Sequence, residues 1–369
     1  MTKRLIRALL GGAACALLPL AASAQAVPSA AEPLLASMRQ HVTLATNAAG
    51  AQFGFLANMM CLNAVTGGDF VGQFWGSQYM RGPDQDIEPV QAFDNLYYIG
   101  LRQNGAWVLK TSAGLILLDS LYPEDTQTRV LPNMKKLGLD PAQVKYVIVG
   151  HAHSDHMGGA KYFQDTYGAK VVMTAEDWDF ALKGGEAGDP KYVPRRDVVA
   201  RDGDKITLGD TTVSIYFTPG HTPGALSAIL PVRDKGAAHM AAWWGGPQWG
   251  LRNKPVRERE ILENSFQHFG PIAAAAKVDV ALESHPFLSN MIVALTGMKA
   301  RKPGAPNPLV LGTEGYGRYF TVWHECARAN MDRYKANLLI YGPDPRTWPP
   351  EINATTAASA RLGVRPAGE

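Results

Sequence analysis

The run His151-Ala-His-Ser-Asp-His156 puts three imidazoles and a carboxylate within six residues, and no other feature of the chain constrains its fold as much. The residues before it, Val144 to Val149, read as a short buried-type strand, so the run stands at a strand's carboxyl end. Side chains alternate along extended backbone, so His151 and His153 point the same way and can share one metal while Asp155 and His156 reach a second. Crowding these groups with no bound cation would cost heavily in desolvation and repulsion. A fold built around this loop must bring further ligands to the same rim.

The rest of the chain supplies such a framework. Strand-like runs fall at Asn95 to Leu101, Ala106 to Thr111, Gly114 to Ser120, Ala169 to Met173, Lys205 to Leu208, Thr212 to Phe217 and Val278 to Leu282. Helical spacing marks Thr126 to Leu137, Ala160 to Tyr167, Ala175 to Leu182 and Gly315 to Tyr334. This alternation predicts an α/β fold, in which ligand sites gather at the carboxyl ends of strands. Two further histidines stand at such ends. His221 lies between two Thr-Pro-Gly turns, 218–220 and 222–224, and His285 follows Glu283-Ser284. His41, His239, His268 and His324 lack that context and read as ordinary surface or core residues.

Met1 to Ala26 has a basic start (Lys3, Arg4, Arg7), an apolar run from Ala8 to Leu20 and small residues at its end. That is the pattern of a secretory signal peptide, with cleavage expected near Ala24 or Ala26 and a periplasmic or secreted product. Residues 27–87 are expected to form an extension packed on the main domain, with helical material at Ala30 to Ala45 and a Gly- and aromatic-rich stretch from Gly54 to Trp75. Residues 88–335 form the main domain and 336–369 a tail. The chain carries 36 Lys plus Arg against 33 Asp plus Glu, a net +3 that leaves with the leader, so neither nucleic acid nor, after cleavage, a membrane is an expected partner. Cys61 and Cys326 remain in the mature chain; an oxidising compartment permits them to pair, and two separate buried thiols are equally compatible with the sequence.

These motifs resemble the metallo-β-lactamase superfamily: the His-x-His-x-Asp-His loop, Gly114-Leu-Ile-Leu-Leu-Asp119, Asp202-Gly-Asp204, His221-Thr-Pro-Gly224, and the terminal Asn307-Pro-Leu-Val, Gly315-Tyr316 and Tyr319. The similarity runs from about Phe93 to Arg333. It implies an αββα four-layer sandwich and, in the subgroup with a three-His first site, two zinc ions per chain. By that likeness His151, His153 and His221 bind the first and Asp155, His156 and His285 the second, with Asp119 bonding a ligand and fixing its orientation.

The chain also departs from the pattern. The usual Asp-Thr-Gly is Asp119-Ser-Leu121, and the stretch that contacts the antibiotic's carboxylate in those lactamases is replaced by Met240 to Trp249. Trp243, Trp244 and Trp249 there are candidates for a substrate pocket, with core packing as the competing reading. The expected function is an exported dinuclear zinc hydrolase acting on a small molecule. It would use zinc-bound hydroxide, with His153 and Asp155 as catalytic groups, to open an amide, a β-lactam ring first, with antibiotic resistance as the consequence. A lactonase or carboxylic-ester hydrolase is the alternative, and a non-catalytic metal-binding protein the remote one. Retention of His153 argues against the iron-containing redox members.

Overall fold

The computed structural model describes residues 27–66, 85–184, 189–246, 255–345 and 348. The leader, Trp249 and nearly all of the tail beyond 345 lie outside the described residues.

Seven strands form the first sheet in sequence order: β1 (Val90–Phe93), β2 (Leu96–Tyr98), β3 (Trp107–Thr111), β4 (Gly114–Leu118), β5 (Val144–Ile148), β6 (Lys170–Thr174) and β7 (Val198–Ala200). They pair antiparallel as far as β4 and parallel from there on. Connection length explains the switch. A two-residue turn joins β3 to β4, whereas the parallel pairs are joined by crossovers carrying α3 (Leu131–Lys136), α4 (Ser154–Met157), α5 (Ala160–Tyr167) and α6 (Ala175–Leu182). The helix expected over Thr126 to Leu137 opens as a π-helical turn, Thr126–Val130, before it becomes α3.

The second sheet has the order β12-β11-β10-β9-β8, built from β8 (Lys205–Leu208), β9 (Thr211–Phe217), β10 (Leu226–Asp234), β11 (Ala237–Trp244) and β12 (Val280–Glu283). All neighbours are antiparallel except β11 and β12. Strands β9, β11 and β12 therefore run the same way, and the loops at their carboxyl ends emerge on one rim. The long β10–β11 hairpin occupies residues for which sequence reading predicts no strand. Its turn, Lys235-Gly236, has φ of 52° and 81°, the left-handed pair a two-residue hairpin needs, and the Asp94 carboxylate accepts from both turn N–H groups.

Strand periodicity sorts the core into layers. Trp107 and Leu109 of β3, with Ala228 and Leu230 of β10, face each other between the sheets. Val108 points the other way, into a layer closed by Phe163 of α5 and Trp178 of α6. On the far side Ile229 of β10 packs under α7 (Val256–Ala275) and α9 (Gly312–Tyr341) through Phe266, Phe269 and Val322. The result is the four-layer αββα sandwich. Helix α9 runs past the expected domain boundary at 335, because Ala336 and Asn337 remain buried against neighbouring helices.

The extension contributes α1 (Glu32–Ala49) and α2 (Gly54–Thr66), which lie along α9. Leu35 and Met38 of α1 meet Ala329 and Ala336 of α9, and a disulfide joins Cys61 to Cys326. Helix α2 stands where the sequence shows only a Gly- and aromatic-rich stretch. It is enclosed on most sides, so it carries no one-sided apolar stripe to betray it. No helix among the described residues is long and apolar enough to cross a membrane.

Candidate metal centre

The site forms where β4 and β5 of the first sheet end beside β9, β11 and β12 of the second. Strand β5 enters it through Gly150, whose Cα packs against Gly245 beyond the end of β11. A Cβ on either glycine would lie within 2.8 Å of the other's backbone, so both must stay bare. This close approach lets His151 Nδ1 donate to the Gly245 carbonyl at 2.6 Å. Asp119 closes β4 in a left-handed conformation, φ 57°, fully buried. One carboxylate oxygen accepts from the Gly150 N–H at 2.8 Å and the other from His156 Nδ1 at 2.6 Å. Two residues on, where the superfamily pattern has glycine, Leu121 also takes a left-handed φ of 59° and buries its side chain instead.

All six predicted ligands meet there. His151, His153 and His221 form one group and His151, His156 and His285 another, each with its ligand atoms within 4.8 Å of one another. His153 Nδ1 lies 3.1 Å from His221 Nε2, and His156 Nε2 lies 3.0 Å from His285 Nε2 and 3.1 Å from Asp155 Oδ2. These separations are close to the edge of about 3.3 Å of a tetrahedron of ligands around zinc. The outer nitrogens are anchored in turn, since His285 Nδ1 donates to the Gln103 carbonyl at 2.9 Å. His151, His156 and His285 thus each engage Nδ1 outward and present Nε2 to the centre.

Burial and neighbouring imidazoles hold His151 and His221 well below the usual histidine pKa, and burial with His156 beside it lowers His285 to about 3. Neutral imidazoles with inward lone pairs are the form that binds metal. His156 is different. Despite burial, Asp155 and Asp119 raise its pKa to about 10. The Asp155 carboxyl in turn, against its desolvation, is held well below the usual range by His156 and the other imidazoles. This corner of the site is built around a positive charge, which a proton or a metal cation can supply. His151 Nε2 is buried with no hydrogen-bond partner, so the residues present fit a bound cation.

Three contributors have no motif. Asn104, in the turn between β2 and β3, donates to Asp155 Oδ2 at 2.6 Å, and the same turn supplies the Gln103 carbonyl. Asp177 of α6 joins the two ligand loops: one oxygen accepts from the Ala152 N–H at 2.9 Å and the Thr222 hydroxyl at 2.8 Å, the other from the Gly224 N–H at 2.8 Å. Burial nonetheless pushes its pKa up to about 6. An Asn-Gly pair at 104–105 reads as a hairpin turn, and Asp177 reads as an acid in a helix's first turn. Neither reading points to a metal.

The substrate-pocket expectation is corrected for Trp243 and Trp244 by where their side chains go. Trp243 is fully buried between the sheets, and Trp244 stacks on Phe266 at 4.7 Å under α7. Consecutive residues of a strand covered on both faces enter the two cores in turn. His41, His239, His268 and His324 all lie away from the centre, each beside a carboxylate: Glu325, Asp279, Asp202 and Glu263.

Residues 99–234 match the family model of the Metallo-beta-lactamase superfamily. Among solved structures the chain is similar to BJP-1, a subclass B3 metallo-beta-lactamase of Bradyrhizobium japonicum, with 30% identity and a TM-score of 0.56, covering 66% of this chain and 92% of that one. FEZ-1 metallo-beta-lactamase from Legionella gormanii shares the fold at 24% identity and a TM-score of 0.54, over 64% and 92% of the two chains. Among curated proteins it is similar to an N-acyl homoserine lactonase of Bacillus thuringiensis, 26% identical over 154 residues, or 36% of this chain. An uncharacterised protein of Mycobacterium leprae is 31% identical over 141 residues, or 34% of this chain. The chain spans 59% and 62% of the length of these two curated relatives.

Proposed function

The chain belongs to the metallo-β-lactamase superfamily, and from that premise we propose that it is an exported dinuclear zinc hydrolase that opens a cyclic amide, a β-lactam ring first. The observation that carries this reading is the convergence of the six ligand side chains, with His151 Nε2 buried and unpartnered at their centre. His151, His153 and His221 would hold one ion, and Asp155, His156 and His285 the other. Zinc there would supply a hydroxide nucleophile at neutral pH and polarise the scissile carbonyl. The chain's own groups do the positioning. Asp119 sets the His156 tautomer, Asn104 orients Asp155, and the Gly245 and Gln103 carbonyls fix His151 and His285. Export is supported by the leader pattern and by the Cys61–Cys326 disulfide, since such bridges persist in oxidising compartments.

Hydrolysis of a lactone is the second reading, favoured by the similarity to N-acyl homoserine lactonases. Metal analysis of the purified protein should return close to two zinc per chain; iron, or no metal, overturns the zinc-hydrolase reading. Turnover of a carbapenem, a cephalosporin, an acyl-homoserine lactone and an aryl ester, measured side by side, then chooses among substrates. A lactone turned over while both β-lactams stay intact would replace the first reading by the second.

A further inference from the structure

The two ligand loops of the second sheet are supported differently. The His285 loop continues through residues 286–288 into α8 (Met291–Met298), whose Met291 and Leu295 bury their side chains in the core between the sheets. The His221 loop turns straight back from β9 into β10. It leans on α6, a helix that precedes it in the chain. Thr174, the residue that caps α6, donates its hydroxyl to the Gly224 carbonyl at 2.8 Å and accepts from the Asp177 N–H at 3.2 Å. The approach is so close that a Cβ on Gly224 would fall 2.5 Å from the Asp177 backbone nitrogen.

Asp177 carries this contact across to the other loop. Its carboxylate, 1% exposed, takes the Ala152 N–H and the Thr222 hydroxyl on one oxygen and the Gly224 N–H on the other. Ala152 stands between His151 and His153, Thr222 stands next to His221, and Gly224 lies two residues further on. The Phe180 ring of the same helix lies 5.9 Å from the His153 ring. His153 Nδ1 and His221 Nε2 come within 3.1 Å although 68 positions separate them, so their spacing depends on what ties the two loops together. A bond from the Leu226 N–H to the Gly150 carbonyl joins the loops at their strand ends, and Asp177 joins them where the ligands stand.

We propose that Asp177 is a positioning residue for the first metal site: it sets the spacing of His153 and His221, and through it the affinity of the three-His site, and leaves the Asp155, His156 and His285 site untouched. This rests on the two-metal reading above. A carboxylate suits the task because all three of its neighbours donate to it. Asparagine has the same shape but one acceptor oxygen, which cannot serve the Ala152 and Gly224 N–H groups on opposite sides. One of them would face an amide NH2 and stay unpaired, and its loop would draw away. The second site has its own supports in Asp119, Asn104 and the Gln103 carbonyl.

The test is zinc affinity of the full chain, by competition with a chromophoric chelator, in two backgrounds: His285→Ala, which spares the three-His site, and His221→Ala, which spares the other. Adding Asp177→Asn should weaken zinc roughly 10–100-fold in the first background and no more than about twofold in the second. Thr222→Val removes one donor and keeps both backbone bonds, which keeps the test open if Asp177→Asn does not fold. It should weaken the first site about threefold and spare the second. Equal losses in the two backgrounds would mark a merely structural role, and undiminished first-site affinity in both variants would leave the spacing to the Gly150–Leu226 bond; either result overturns the proposal. A wild-type chain that binds no zinc overturns the two-metal reading and this inference together, whereas two zinc ions in the wild type with either of those results overturns the inference alone.

Discussion

The carboxyl end and the outer face of strand β12 treat burial in opposite ways. At the carboxyl end, His285 enters a centre where imidazoles and carboxylates are desolvated together and held by short hydrogen bonds to Asp119, Asn104, Gly245 and Gln103. Over the outer face, α2, α7 and α9 bury aromatic and aliphatic side chains, and the Cys61–Cys326 disulfide ties the extension to the domain. The first region is organised by charge and directional bonds, the second by area and a covalent crosslink. Function should therefore be sensitive to single atoms in one and tolerant of them in the other, with stability behaving the opposite way.

His153→Ala gives the largest expected effect. Losing a ligand should cost hydrolytic activity more than the roughly 10–100-fold typical of losing a ligand's hydrogen-bond partner. Circular dichroism and urea unfolding of the metal-free forms should barely change. Activity retained in this variant would place the chemistry elsewhere. Replacing both cysteines, Cys61→Ala with Cys326→Ala, tests the other region. A loss of about 2–4 kcal/mol in unfolding free energy is expected, with zinc content unaltered because none of the six candidate ligands lies in the extension. A parallel fall in zinc content would break the separation between the regions.

Asp119→Asn is expected to lower zinc affinity roughly 10–100-fold, measured by competition with a chromophoric chelator, without a comparable loss of stability. The smallest effect concerns Asp177 and falls on stability. Burial raises its folded pKa to about 6, above an unfolded value near 3.9. Between those values the folded chain keeps a proton that the unfolded chain has lost. The stability this group contributes is therefore full below about pH 4 and is lost as the pH rises through 6. Urea unfolding of the chelated protein should show this as a decline of about 1 kcal/mol per pH unit between pH 4 and 6, absent in Asp177→Asn. An identical pH profile in the two proteins would remove Asp177 from the account.

Legibility followed the same division. The candidate ligands could be read because metal coordination demands particular residue types: the loop at 151–156 and the turns around His221 mark five of them by local pattern, and the family resemblance adds His285. Asn104 and Asp177 could not, since each acts on residues 51 and 25 positions away and looks like a turn or helix-cap residue in its own neighbourhood. Helix α2 escaped because a helix buried on most sides shows no stripe, and the β10–β11 hairpin because both its faces are covered and no polar alternation marks it. Trp243 and Trp244 were open to two readings for the same reason. Adjacent aromatic residues near a site say nothing of which sheet face each will take.

By itself, then, the sequence determined the α/β class, through strand and helix period, and marked six candidate ligands, through residue type, local spacing and the family resemblance. Only the tertiary structure decided that Cys61 meets Cys326 across 265 residues, which residues hold the ligands, and that Asp177 of α6 ties two ligand loops together. Those outcomes depend on contacts between segments distant in the chain, which no local pattern encodes because each is settled by how the layers pack.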